Sequence, residues 1–271
     1  MDFKTKEIQK RYEGYLATPK LWTGDDISGL HQFELESKSH KIDISIDDKI
    51  RLGKYVERFV SYHLSTIKEI DILAENIQIQ KDKRTLGELD CLLTKNKKPV
   101  HLEIVYKFYL YDATVGSTEI EHFIGPNRKD TLIEKLNKLK EKQLPLIYSN
   151  DCKPYLDEYD IEVEKVKQEV LFKAQLFLPY NKQHIQLTKL NTNCIQGFYI
   201  NLKELRYFKE SKFYIPSKKD WLIKPHEQVL WVTYTNFSNK IKEFELRKFS
   251  PLVWIKSKNG ELSKCFVVLW A

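Results

Sequence analysis

Two acidic residues and a lysine stand where their side chains could act on one another. Asp90 lies in Gly87-Glu88-Leu89-Asp90-Cys91-Leu92-Leu93. Glu103 and Lys107 lie in Val100-His101-Leu102-Glu103-Ile104-Val105-Tyr106-Lys107-Phe108, after a lysine-rich turn. Both segments alternate with period 2, the pattern of β-strands with one buried face. Leu89, Cys91, Leu93, Leu102, Ile104, Tyr106 and Phe108 share one face; Glu88, Asp90, His101, Glu103 and Lys107 share the other.

If the strands form a hairpin turning at Asn96-Lys97, residues whose numbers sum to about 193 oppose one another, so Asp90 faces Glu103. Directly opposed like charges destabilise a sheet. Two carboxylates so placed need a cation between them or a raised pKa on one. A hard divalent ion with oxygen ligands answers the problem economically. A solvated strand face with ordinary salt bridges to Lys107 would carry the same residues.

The elements that must position these residues begin with a helix over 49–67, whose Leu52, Val56, Phe59, Val60, His63, Leu64 and Ile67 make an apolar stripe at 3.6 spacing. Glu57 falls at the stripe's edge, where a carboxylate is either half-buried with a partner or turned to a cleft. His63, alone near its centre, reads as a core histidine. A strand is expected at 75–80, then the two strands above. Asn127 reads as an N-cap, with Asp130 three positions on, for a helix from Arg128 to Gln143. Leu132, Leu136 and Leu139 form its stripe, with Arg128, Lys135 and Gln143 on or beside it. Those three are candidates for contact with a substrate phosphate, or for snorkelling past packed neighbours.

Upstream, the first 22 residues read as a helix ended by Thr18-Pro19, and 23–48 as irregular with a strand at 41–46. Downstream, 169–178 alternates as a strand. From about 191 the chain is rich in aromatics and reads as mostly strand, most firmly at 229–234 and in the pair 251–257 and 261–270, joined at Asn259-Gly260. The aromatics interleaved with lysine suit a β-sheet core with a lysine-rich outside, or a platform on which bases stack.

Bulk properties narrow the class. The 271 residues are 42% hydrophobic, with only 9 Gly and 9 Pro, which excludes a loop-dominated or repetitive chain. Apolar runs are too short to span a bilayer, and the charged N-terminus is unlike a signal peptide, so no membrane association and a cytoplasmic location are expected. Cys91, Cys152, Cys194 and Cys265 are scattered, without the spacing of a metal site or disulfide framework. The net charge of +7 is compatible with an anionic partner. Positive charge concentrates at 128–142, with six basic and three acidic residues, and an acidic stretch follows at 157–169.

The order helix, three strands, helix, strand, with paired acids on the second and third strands, resembles the PD-(D/E)XK nuclease superfamily. More closely, the chain is similar to a bacterial family, domain of unknown function 1853. That likeness is carried by Arg11-Tyr12-Glu13-Gly14-Tyr15-Leu16-Ala17-Thr18-Pro19-Lys20-Leu21, Gly87-Glu88-Leu89-Asp90, His101-Leu102-Glu103, Lys107-Phe108-Tyr109-Leu110, Gly125-Pro126-Asn127, the 130–145 helix pattern and Leu176-Phe177-Leu178-Pro179.

The superfamily resemblance implies an α/β (α+β) fold: a restriction-endonuclease-like core with a mixed central sheet flanked by helices. The chain divides on this view into an N-terminal segment at 1–48, the core at 49–180, and a β-rich C-terminal region at 181–271. The implied activity is Mg2+- or Mn2+-dependent cleavage of nucleic acid, DNA before RNA. Asp90, Glu103 and Glu57 would be metal ligands, and Lys107 would serve the attacking water. The alternative is a non-catalytic module that retains the fold to bind nucleic acid or protein. Two departures stand out. Leu89, not proline, precedes Asp90. Val105 occupies the usual lysine position, so Lys107 lies about 6.6 Å further along the strand at ~3.3 Å per residue.

Overall fold

The computed structural model describes residues 3–36, 41–182 and 184–270. Among them are ten β-strands in mixed parallel and antiparallel pairing and five α-helices, an α+β fold. The chain gathers into two compact units that interleave along the sequence. One comprises Lys20–Tyr106 and Glu134–Lys173; the other comprises Met1–Pro19, Lys107–Ile133 and Ala174–Ala271.

The unit built from the middle of the chain carries the acidic residues. Helix α2 (Leu52–Ser65) buries Tyr55, Val56, Phe59, Val60, His63 and Leu64 along one stripe. Strands β1 (Ile70–Lys81), β2 (Arg84–Lys95) and β3 (Lys98–Tyr111) follow, adjacent ones pairing antiparallel. The β2–β3 hairpin has the register that the alternation demands: Cys91 pairs with Leu102 and Lys95 with Lys98. Asn96 and Lys97 both adopt positive φ, 51° and 63°, whose twist matches that of a two-residue hairpin. Ile77, Ile79, Leu89, Leu92, Ile147 and Leu156 pack into a core on this sheet.

The second long helix departs from expectation. A regular α-helix, α3, spans only Leu132–Lys138, then gives way to a π-helical turn at Leu139–Gln143 and a 3-10 turn at Leu144–Tyr148. It starts late because its intended cap is occupied elsewhere. Asn127 Oδ1 accepts the Ser250 amide at 2.7 Å, and Arg128 sits at φ 54°, outside the helical region. Nor is there a strand at 41–46, where the chain takes up no regular secondary structure.

The other unit opens with α1 (Phe3–Ala17), which ends before Pro19 as the sequence requires. Strand β4 (Phe123–Ile124) pairs with the end of β3. The strand β5 (Lys167–Pro179) runs parallel to β6 (Ile195–Asn201), and β6 parallel to β10 (Leu262–Val268). Beyond lie β9 (Leu252–Lys256), β7 (Lys212–Tyr214) and β8 (Val232–Thr233), all antiparallel.

The expected strand at 229–234 shrinks to the two residues of β8, and α5 (Tyr234–Leu246) follows at once. Thr233 caps it, accepting the Asn236 amide. Phe237 and Ile241, one turn apart, bury α5 against Phe213, Val253 and Val267. The C-terminal region is therefore mixed rather than mostly strand. All four cysteines are buried and unbridged.

Candidate metal centre

The hairpin brings Asp90 to the point where its ladder meets a side chain. One step beyond the Cys91–Leu102 pair, Asp90 Oδ2 accepts the backbone amide of Ile104 at 2.9 Å. That bond fixes the carboxylate and favours its ionised form. Burial outweighs it and, together with the charge of Glu103, raises the Asp90 pKa to about 7. A carboxyl poised near neutrality by burial and a like-charged neighbour is a common mark of a functional site.

Glu103 is fully buried. One of its oxygens lies 3.2 Å from His101 Nε2 on the same strand face, and the other accepts the Gln143 side-chain amide. Gln143, the last residue of the π turn, accepts Lys135 Nζ at 2.7 Å through its own carbonyl. Lys135 and Gln143 thus belong to the carboxylate network, linked to Glu103 in series.

Glu57 reaches Asp90 from α2, in a group that does not include Glu103. Carboxylate oxygens of Glu57, Glu88 and Asp90 all lie within 4.8 Å of one another. Burial raises the Glu57 pKa, against the pull of Lys54 and with a further push from Glu88. Glu88, which alternation places on this face, is a half-buried member of the cluster.

Lys54 is the residue that strand alternation could not reveal. It lies one turn before Glu57 on α2, and Nζ is 2.8 Å from Glu57 Oε2. The same ammonium bonds Glu88 and, at 2.6 Å, Asn76 Oδ1. Burial pulls its pKa down, but the bonds to Glu57 and Glu88 outweigh burial and hold it above the ordinary lysine range. The sequence signal was the Lys54–Glu57 spacing of three on a helix.

Lys107 and Arg128 belong to the other unit and have partners there. Lys107 Nζ bonds Asp130 Oδ2 at 2.7 Å, and Asp130 packs against Gly125 so closely that a Cβ on Gly125 would meet Oδ1 at 2.0 Å. Arg128 pairs with Asp112 at 2.9 Å and lies 4.5 Å over the Trp270 ring, while Trp270 Nε1 bonds Pro126 O. Gly125-Pro126-Asn127 is accordingly a structural clasp.

A family model described as Domain of unknown function (DUF1853) matches residues 5–268. The chain belongs to this family. No curated protein and no solved structure matched the chain. The DUF1853 match runs from within α1 to the end of β10, carboxylate cluster included. Among the described residues, no helix is long and apolar enough to cross a membrane.

Proposed function

We propose that this protein is a divalent-metal-dependent hydrolase of nucleic-acid phosphodiesters, DNA before RNA, with a core of PD-(D/E)XK nuclease type. The observation that carries the reading is the Asp90–Glu103 pair. On adjacent strands Glu103 is fully buried and Asp90 half-buried, and Asp90 is driven to a pKa of about 7 by burial and by the charge of Glu103. Such a pair is costly unless a cation is its natural partner.

The donor set fits Mg2+ or Mn2+: hard, acceptor-only oxygens with no thiolate among them. Asp90 and Glu103 would hold the ion, with Glu57 beside them. An ion there supplies Lewis acidity toward a phosphoryl oxygen and lowers the pKa of water. The chain's own residues do the rest. The Ile104 amide orients Asp90, Gln143 orients Glu103, and the helix fixes Glu57. Lys135 adds positive charge next to this group, where an anionic substrate would gain from it.

A second reading has its own support. Lys54 already bridges Glu57 and Glu88 and offsets one of their two charges, as it would in a non-catalytic module that keeps the fold to bind nucleic acid or protein. The two part under one assay. Purified protein is incubated with single- and double-stranded DNA and with RNA, in Mg2+, Mn2+ or EDTA, beside Asp90→Asn and Glu103→Gln. The hydrolase reading expects metal-dependent cleavage that both substitutions abolish. Nucleic-acid affinity that falls steeply with salt and survives both substitutions, with no cleavage, supports the binding module instead.

A further inference from the structure

We infer that Lys54 is the internal counter-ion of the carboxylate cluster and competes directly with the divalent ion, so that it sets the ion's affinity. The inference rests on the metal-centre reading above and concerns which residue tunes it.

The stoichiometry of the contacts carries the argument. An ammonium has three N–H donors and no acceptor. Those of Lys54 face Glu57, Glu88 and Asn76, three acceptors from α2, β2 and β1. Two of the three are carboxylates, and both belong to the group whose oxygens gather within 4.8 Å around Asp90. An incoming ion would therefore meet Glu57 and Glu88 with one oxygen of each already bonded to Lys54. Its charge is also among those that act on Asp90.

Glu88 is doubly engaged, since Gln78 Nε2 donates to its other oxygen. An ion that gathers Asp90, Glu57 and Glu88 must share the Glu57 and Glu88 carboxylates with the Lys54 cation, and the repulsion between the two cations sets them in competition. The Lys54 side chain is 41% exposed, so the displaced ammonium has solvent to enter. Affinity then equals the ion's intrinsic attraction to the carboxylates less the cost of breaking the Lys54 contacts. Deleting the lysine charge removes that cost and leaves the carboxylates uncompensated, and both changes favour the ion.

The test is calorimetric titration of Mn2+ into the full chain and into Lys54→Met and Lys54→Arg, each with and without Asp90→Asn as a control for site. Lys54→Met is expected to bind Mn2+ about tenfold tighter or more, and Lys54→Arg to stay within about threefold of the wild type. Asp90→Asn is expected to weaken binding in every background. Should Lys54→Met be too unstable to titrate, its melting temperature over a Mn2+ series replaces calorimetry, and its upward shift must exceed the wild type's. If the wild type binds Mn2+ and Lys54→Met binds it equally or more weakly, the counter-ion role is overturned while the metal centre stands. If neither protein binds Mn2+, both are overturned.

Discussion

Gln143 donates its side-chain amide to Glu103 and accepts Lys135 Nζ at 2.7 Å, so one neutral residue joins a buried acid to a lysine. An amide in this place satisfies one Glu103 oxygen without adding charge to a site that already has too much of one sign. Gln143→Leu leaves that oxygen and the lysine without their shared partner. A loss of about 1–3 kcal/mol in urea unfolding is expected. Gln143→Glu should cost at least as much at pH 8, where it sets a third anion beside Asp90 and Glu103, and less at pH 5.

Asp90 gives the fold a distinctive pH dependence. Its folded pKa of about 7 lies above its ordinary value of 3.8. The folded state therefore holds the proton more tightly, and this residue's contribution is fully present below about pH 4 and lost as pH rises through about 7. Asp90→Asn keeps an oxygen to accept the Ile104 amide but cannot ionise. In EDTA at pH 8 the variant is expected to be more stable than the wild type by on the order of 1–3 kcal/mol. The advantage should vanish toward pH 4. Thermal melts of both proteins across pH 4–8 would expose the opposite trend if the carboxyl were in fact well compensated.

Lys264 works in the reverse sense. It is 3% exposed, with Nζ bonded to Gln175 Oε1 and to the Trp221 carbonyl at 2.8 and 2.7 Å. Burial lowers its pKa from 10.5 to about 7. The unfolded chain then binds the proton more tightly between those values. Stability from this residue is present above about pH 10.5 and lost as pH falls through about 7. Comparing wild type with Lys264→Met cancels the titration of every other group. The wild type should gain on the variant between pH 7 and pH 9.5, by urea titration, and a flat difference would contradict the assignment.

Gly14 sits inside α1, where alanine would ordinarily stabilise a helix by about 1 kcal/mol. Packing reverses that. A Cβ there would lie 2.2 Å from the Leu222 carbonyl oxygen, a backbone atom that cannot swing aside. Gly14→Ala is expected to destabilise by about 1–3 kcal/mol. A variant as stable as the wild type would mean that α1 and the 218–222 turn part easily.

What could be read from the sequence followed from local rules. The β2–β3 register came from alternation and a two-residue turn, and the Asn259-Gly260 hairpin from its turn residues; both are short-range signals that tertiary contacts leave intact. The helix at 128–143 was overestimated because its start is decided by distant groups. Asn127 spends its side chain on Ser250, more than a hundred residues away. The strand expected at 229–234 hid the onset of α5, whose Phe237, Ile241 and Phe244 keep helical spacing within a run of aromatics. At the site, alternation found the strand carboxylates Asp90 and Glu103 but said nothing of the helix lysine. It grouped Lys107 with them by face alone, whereas the structure commits that lysine to Asp130.

The interleaving of the two units has a consequence for the order in which the chain can fold as it is made. Arg11 of α1 bonds Asp220 at 2.7 Å across 209 positions of sequence. At ~5–20 residues per second, α1 emerges roughly 10–40 s before its partner turn exists. The unit between Lys20 and Lys173 has all its residues well before then. Helix α1, made before that unit, is thus docked after it can form, and the acidic cluster can take shape while α1 still waits.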